Sequence, residues 1–131
     1  MTDAPTPTGI DHLVLTVEDV EATCAFYETL GAETVTFGND RRALQFGDRK
    51  INLHPADHRV AEYVAAAPTP GSGDFCLVVE TPIEAVIDHL DEVGIDIVTG
   101  PVERVGADGT LTSVYVRDPD GNLVELGTYG E

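Results

Sequence analysis

Positive charge is what this chain has least of. Its 131 residues include 7 Lys and Arg against 24 Asp and Glu, giving a formal charge of −17 and a pI near 4.2. Only one of the seven is a lysine, Lys50. Such a surface repels nucleic acid and anionic membranes, which excludes both as partners. No apolar run is long enough to cross a bilayer. The opening MTDAPTPTG has neither the basic flank nor the apolar core of a signal peptide. Residues 1–8 are therefore expected to form a loose tail, and the compartment is expected to be the cytoplasm. Cysteine is scarce. Cys24 and Cys76 lie in periodic apolar segments and are expected to be buried free thiols, not a disulfide. No Ser or Cys nucleophile arrangement is evident, and Gly71-Ser72-Gly73 lacks the GxxxxGK[ST] surroundings of a phosphate loop.

The acids are scattered along the chain, so they do not form an acidic interaction tail. Salt adaptation accounts for the pattern, because concentrated salt screens the self-repulsion of so many like charges. A halophilic source is the expectation, and it has a direct test. Thermal stability should rise between roughly 0.1 M and 2 M salt; a flat or falling melting temperature would count against it. Hydrophobic residues make up 42% of the chain, enough for a packed core, and the length suits one domain over residues 9–131.

The last hairpin, residues 111–128, organises the rest. Asp118-Pro119-Asp120-Gly121 is a turn, with Pro presetting φ at its second position and Gly able to take the left-handed one. If Asp118 pairs with Asn122, Tyr115 faces Glu125 and Arg117 faces Leu123, all on one face. Burying the Glu125 carboxylate unpaired is costly, so a cation is expected beside it.

Upstream, residues 12–18 (HLVLTVE) read as a strand, and Asp19 can cap a helix whose apolar stripe is Val20, Cys24, Tyr27 and Leu30. Gly31 ends that helix. Strands are expected at 33–37, 43–46 and 50–54, completing a βαβββ unit that spans module one, 9–67. Residues 59–67 are expected to hold a helical turn, and 68–73 (PTPGSG) is a linker by composition. Module two, 74–131, repeats the pattern. Residues 74–80 form a strand. Thr81 caps a helix with Pro82 in its first turn and Glu84 placed for a capping box. Ile83, Val86, Ile87, Leu90 and Val93 make its apolar face, and Gly94 ends it. A strand at 95–98 and a Gly-rich loop at 100–109 lead into the hairpin.

The two halves align by position. HLVLTVE lies over DFCLVVE at an offset of 62, Gly31 over Gly94 at 63, and RKINLH over GNLVEL at 71, which sets His54 on Glu125. A βαβββ unit carries its helix on one sheet face, so its other face needs a second unit. The expected fold is α+β, two βαβββ modules whose curved mixed sheets surround a metal cleft. The repeat selects four positions on the hollow face: His12, His54, Asp74 and Glu125. Two imidazoles and two carboxylates suit one divalent ion per site, Fe(II), Mn, Ni, Co or Zn, with positions left open. His58 and His89 are expected at the surface. Tyr115, opposite Glu125, is placed for a hydrogen bond to substrate as well as for strand packing. Arg41, Arg42, Lys50, Arg104 and Arg117 are rare cations; one or two near the hollow would suit an anionic substrate, and Arg117 shares the face of Glu125.

These residues resemble the vicinal oxygen chelate superfamily, which includes glyoxalase I, extradiol dioxygenases, methylmalonyl-CoA epimerase, and fosfomycin and bleomycin resistance proteins. The resemblance runs from Gly9 to Tyr129 through DHLVLTV, FYETLG, RKINLH, PTPGSGDFCLV, GPVERVGA and VYVRDPDGNLVEL. The Arg42 to His54 run with PTPGS is similar to short glyoxalase-domain proteins often labelled virulence proteins. The resemblance implies that His12, His54 and Glu125 stand at ligand positions, whereas Asp74 replaces a histidine of glyoxalase I and the dioxygenases. The implied activity is metal-dependent chemistry of glyoxalase type (a lyase or isomerase) on a small substrate with vicinal oxygens. The metal would polarise those oxygens, and Glu125 or Asp74 would move a proton, with Tyr115 beside them. Two alternatives stand: an extradiol-type Fe(II) dioxygenase, since two His and one Glu resemble a facial triad, and a drug- or metabolite-binding resistance protein without turnover. The relatives also imply a homodimer with shared sites, His12 and His54 from one subunit and Asp74 and Glu125 from the other.

Overall fold

A computed structural model describes residues 3–130; Met1 and Thr2 of the expected tail and Glu131 of module two lie outside the described residues. Residues 3–11 carry no regular structure. The elements then run β1 (His12–Val17), α1 (Val20–Thr29), β2 (Glu33–Phe37), β3 (Arg41–Phe46), β4 (Arg49–Pro55), β5 (Asp74–Val78), α2 (Ile83–Val93), β6 (Thr99–Gly106), β7 (Gly109–Arg117) and β8 (Leu123–Thr128). They form two four-stranded mixed sheets with the same topology, β1-β4-β3-β2 and β5-β8-β7-β6. In each, the first strand runs parallel to the last, and the other pairs are antiparallel. These are the two βαβββ modules. No helix among the described residues is long and apolar enough to cross a membrane.

Local chemistry sets most boundaries. Asp19 is the N-cap of α1, its carboxylate accepting from the Ala22 N–H at 3.0 Å. Gly31 and Gly94 take positive φ where the two helices end. The second helix starts differently from expectation. Its N-cap is Pro82, no side chain caps it, and Thr81 and Glu84 form no capping box. Residues 95–98 are not a strand, and the stretch read as a Gly-rich loop supplies β6 instead. Gly100-Pro101 interrupts the pairing, and the register shifts between Thr99 and Val102. Beyond that bulge, Val102, Glu103, Arg104 and Val105 pair with β7 as an ordinary strand. The helical turn expected at 59–67 is absent; those residues only bend.

Both helices lie against one shared core. Leu15, Val17, Ile51 and Leu53 of the first sheet meet Val114, Val116, Val124 and Leu126 of the second around Cys24, Tyr27, Val86 and Leu90. Each large apolar side chain so buried contributes about 1.5–3 kcal/mol. Among the described residues three hydrogen bonds tie the halves together, one of them from Glu18 N–H to Asp120 Oδ1 at 3.2 Å. The Tyr27 hydroxyl donates to Asp118 at 2.8 Å, and the His89 ring lies 2.6 Å from the Thr29 carbonyl.

Because strand side chains alternate, sharing one core turns the other face of each sheet outward. The first open face carries His12, Val14, Thr16, Lys50, Asn52 and His54. The second carries Asp74, Cys76, Tyr115, Leu123 and Glu125. Neither face covers the other, and Val14 on edge strand β1 and Val78 on edge strand β5 remain 43% and 61% exposed.

The linker is tightly held. Gly73 N–H donates to Asn122 Oδ1 at 2.6 Å, and the Gly73 carbonyl accepts from Leu123 N–H at 3.0 Å. A Cβ at Gly71 would lie 2.6 Å from the Asp120 carbonyl oxygen.

Candidate active site

The hairpin positions its side chains as the turn sequence requires. Asp118 N–H donates to the Asn122 carbonyl, and Tyr115 faces Glu125 while Arg117 faces Leu123. Asp74, Arg104, Tyr115, Arg117 and Glu125 line one open groove of about 360 Å³. Among the described residues no Lys or Arg pairs with Glu125. Instead the Ser113 hydroxyl donates to Glu125 Oε2 at 2.6 Å. Ser113 is fully buried, so this hydrogen bond anchors one carboxylate oxygen and leaves Oε1 without that partner. Arg104 Nε donates to the Tyr115 hydroxyl at 3.0 Å, and its guanidinium lies 5.5 Å from the ring centre. That oxygen now accepts from Arg104, so its own proton is available to a ligand. Ser113 was missed by sequence reasoning, although its odd-numbered place on the strand of Tyr115 marks the shared face.

The first sheet places His54 deep and His12 at the rim. His54 is 7% exposed and its Nε2 lies 3.4 Å from Arg41 Nη2. Burial, reinforced by the Arg41 charge, holds its pKa below the ordinary histidine value, which keeps the imidazole neutral. His12 is exposed and pairs with neighbouring Asp11 at 2.8 Å. The hydrogen bond with His12, followed by electrostatic attraction to that ring, draws the Asp11 carboxyl below the usual range.

The strand register corrects the repeat. His12 stands beside Lys50 as Asp74 stands beside Leu123, so Asn52, not His54, is the counterpart of Glu125. The true offset in the last strands is 73 rather than 71, and His54 matches Gly127. Asn52 is 6% exposed, and its Oδ1 is buried without a hydrogen-bond partner. Aligning the two modules from their parallel strand starts would have found it.

His54 and Asp74 also border a larger cleft of about 670 Å³ between the modules, with Thr16 and Gly73. His12 lines neither space. Among the described residues of one chain, no three His, Cys, Asp or Glu converge to hold a metal. The donor types still fit a divalent ion, since imidazole and carboxylate suit the middle transition metals. Within one chain they are divided between the open faces of two sheets.

Both cysteines are free, but only Cys24 is buried. Cys76 is exposed because it points from the open face of β5 beside Glu125. Partial desolvation and the Glu125 charge push its thiol up to about 11, so at neutral pH it is a poor nucleophile. His58 and His89 are exposed, as expected.

A model of the Glyoxalase/Bleomycin resistance protein/Dioxygenase superfamily matches residues 9–126. Virulence protein STM3117 of Salmonella typhimurium is 53% identical over 121 residues, covering 92% of this chain and 83% of the relative. Its crystal structure superposes with a TM-score of 0.92 at 51% identity, over 95% of this chain and 99% of that one. Glyoxalase domain-containing protein RDO1 of Mycosarcoma maydis is 49% identical, covering 92% of this chain and 68% of that protein. Metallothiol transferase FosB of Shouchella clausii is 28% identical, covering 92% and 80%.

Proposed function

The chain belongs to the Glyoxalase/Bleomycin resistance protein/Dioxygenase superfamily, and from that premise we propose that it is a homodimeric, metal-dependent enzyme of glyoxalase type acting on a small substrate with vicinal oxygens. One observation carries the reading. The open face of the second sheet holds Asp74, Tyr115 and an anchored Glu125 in one groove, while the histidines stand on the open face of the first. Pairing each face with the opposite module of a second chain would bring both halves together. His12 and a β4 donor would come from one subunit, Asp74 and Glu125 from the other. For β4, the repeat points to His54 and the register to Asn52; the Arg41 contact on His54 Nε2 favours Asn52 Oδ1. The name metallothiol transferase, borne by FosB, supports a metal in this scaffold.

A bound divalent ion would supply polarisation of the substrate oxygens. The chain's own groups do the rest. Ser113 fixes Oε2 of Glu125, so Oε1 is the base that takes or returns a proton on the substrate carbon. Tyr115, oriented by Arg104, donates its proton to a substrate oxygen. The test is elemental analysis of protein purified without a tag, followed by assays on thiol hemithioacetals and on catechols. About one metal per chain and hemithioacetal turnover are expected. His12→Ala and Glu125→Ala should each abolish metal uptake, and Asn52→Ala against His54→Ala identifies the β4 donor. Catechol cleavage dependent on ferrous iron would replace this reading with the dioxygenase one. Ligand binding without metal or turnover would replace it with a binding protein.

A further inference from the structure

We infer that the substrate of this site carries a small anionic group, a carboxylate or a phosphoryl, seated on Arg41 and Lys50. The inference rests on the open face of the first sheet being part of the site. It starts from a census of cations. Of the seven, Arg42 pairs with Glu21 and Arg49 with Asp48, and Arg59 donates to the Glu62 carbonyl in the exposed loop. The other four, Arg41, Lys50, Arg104 and Arg117, all stand on the two open faces. None of the four has a carboxylate within 4.0 Å among the described residues. In a chain with 24 acids and 7 bases every cation has acids to choose from, yet among the described residues only Arg42 and Arg49 take one. Four of the five others gather where the candidate ligands are.

Two of the four converge. Arg41 pairs in register with Phe37, whereas Lys50 lies at the start of β4 opposite His12 and Gln45. Their backbones are well separated, yet both charges reach one ring. The Arg41 guanidinium lies 4.9 Å and the Lys50 ammonium 4.0 Å from the Phe37 centroid. The side chains reach toward each other across the open face, and the ring holds both by cation–π attraction. Arg41 Nε is buried with no acceptor, and Nη2 leans on His54. Two like charges against one ring, with an unmet N–H and no carboxylate within 4.0 Å among the described residues, form a receptor for an anion. The rest of the surface makes this local charge necessary. A net charge of −17 repels anions at long range, so only a focused cationic pair can hold one.

The test is calorimetric titration of the intact protein with inorganic phosphate and, separately, with pyruvate, at moderate salt. One of them should bind, and Arg41→Gln should weaken that binding at least tenfold. Lys50→Gln, farther from His54, should weaken it several-fold, while Arg59→Gln should match the native protein. Melting temperatures confirm that the variants are folded, and elemental analysis reads metal separately, so a metal-free protein that still binds the anion leaves this inference standing. Absence of binding by both probes, or equal binding by Arg41→Gln and the native protein, overturns it.

Discussion

Asp118→Ala is expected to remove about 3–5 kcal/mol of folding stability, the largest effect of any single change in the hairpin. Asp118 is 5% exposed and accepts four hydrogen bonds. They come from the Tyr27 hydroxyl and Asn122 Nδ2 at 2.8 Å, Asn122 N–H at 2.9 Å and Asp120 N–H at 3.0 Å. Tyr27 is fully buried and Asn122 is 1% exposed, so truncation strands their donors away from water. Each stranded donor costs about 1–3 kcal/mol. Tyr27→Phe removes one donor and leaves the carboxylate with three, so about 0.5–1.5 kcal/mol is expected there. Urea unfolding of the two variants provides the comparison. If Asp118→Ala costs no more than Tyr27→Phe, the turn does not anchor the first helix.

Mixing His12→Ala with Glu125→Ala chains, unfolding them and refolding them together, is expected to bring metal binding back from nothing. A symmetric dimer has two equivalent sites. Shared sites leave one heterodimer site with native His12 from one chain and native Glu125 from the other. Random pairing makes half of the dimers mixed, so about a quarter of the native site count should return. If each chain holds its own site, both variants stay broken in every pairing and no metal is recovered. Either variant refolded alone gives the baseline.

The hairpin was legible because its order is local. A four-residue turn sets the register, and register sets Tyr115 against Glu125. The repeated βαβββ topology was legible for a similar reason, since caps, apolar stripes and glycine stops lie within a few residues of what they define. Sequence was weaker where the deciding partner is distant. The 71-residue offset matched strand ends, but the parallel pairing of β1 with β4 counts from strand starts, and that exchanged Asn52 for His54. Gly100 and Pro101 carry loop chemistry, yet the ladder with β7 resumes beyond their bulge. Cys76 lies in an apolar run whose pattern does not say which face of β5 stays bare. Ser113 meets Glu125, and Arg41 and Lys50 meet the Phe37 ring, only once the strands pair.

PTPGSG looks like a swivel, the element that would let two modules exchange between closing on each other and reaching for a neighbour. The backbone around Gly71 and Gly73 rules that motion out of the folded state. Gly71 has no room for even a methyl group against the Asp120 carbonyl, and Gly73 is pinned on both sides, through its N–H to Asn122 and through its carbonyl to Leu123. Moving the modules apart means breaking the same turn that Asp118 secures. The two modules are therefore set against each other while the chain folds and then travel as one piece: chains that pair through their open faces should exchange whole, without unfolding.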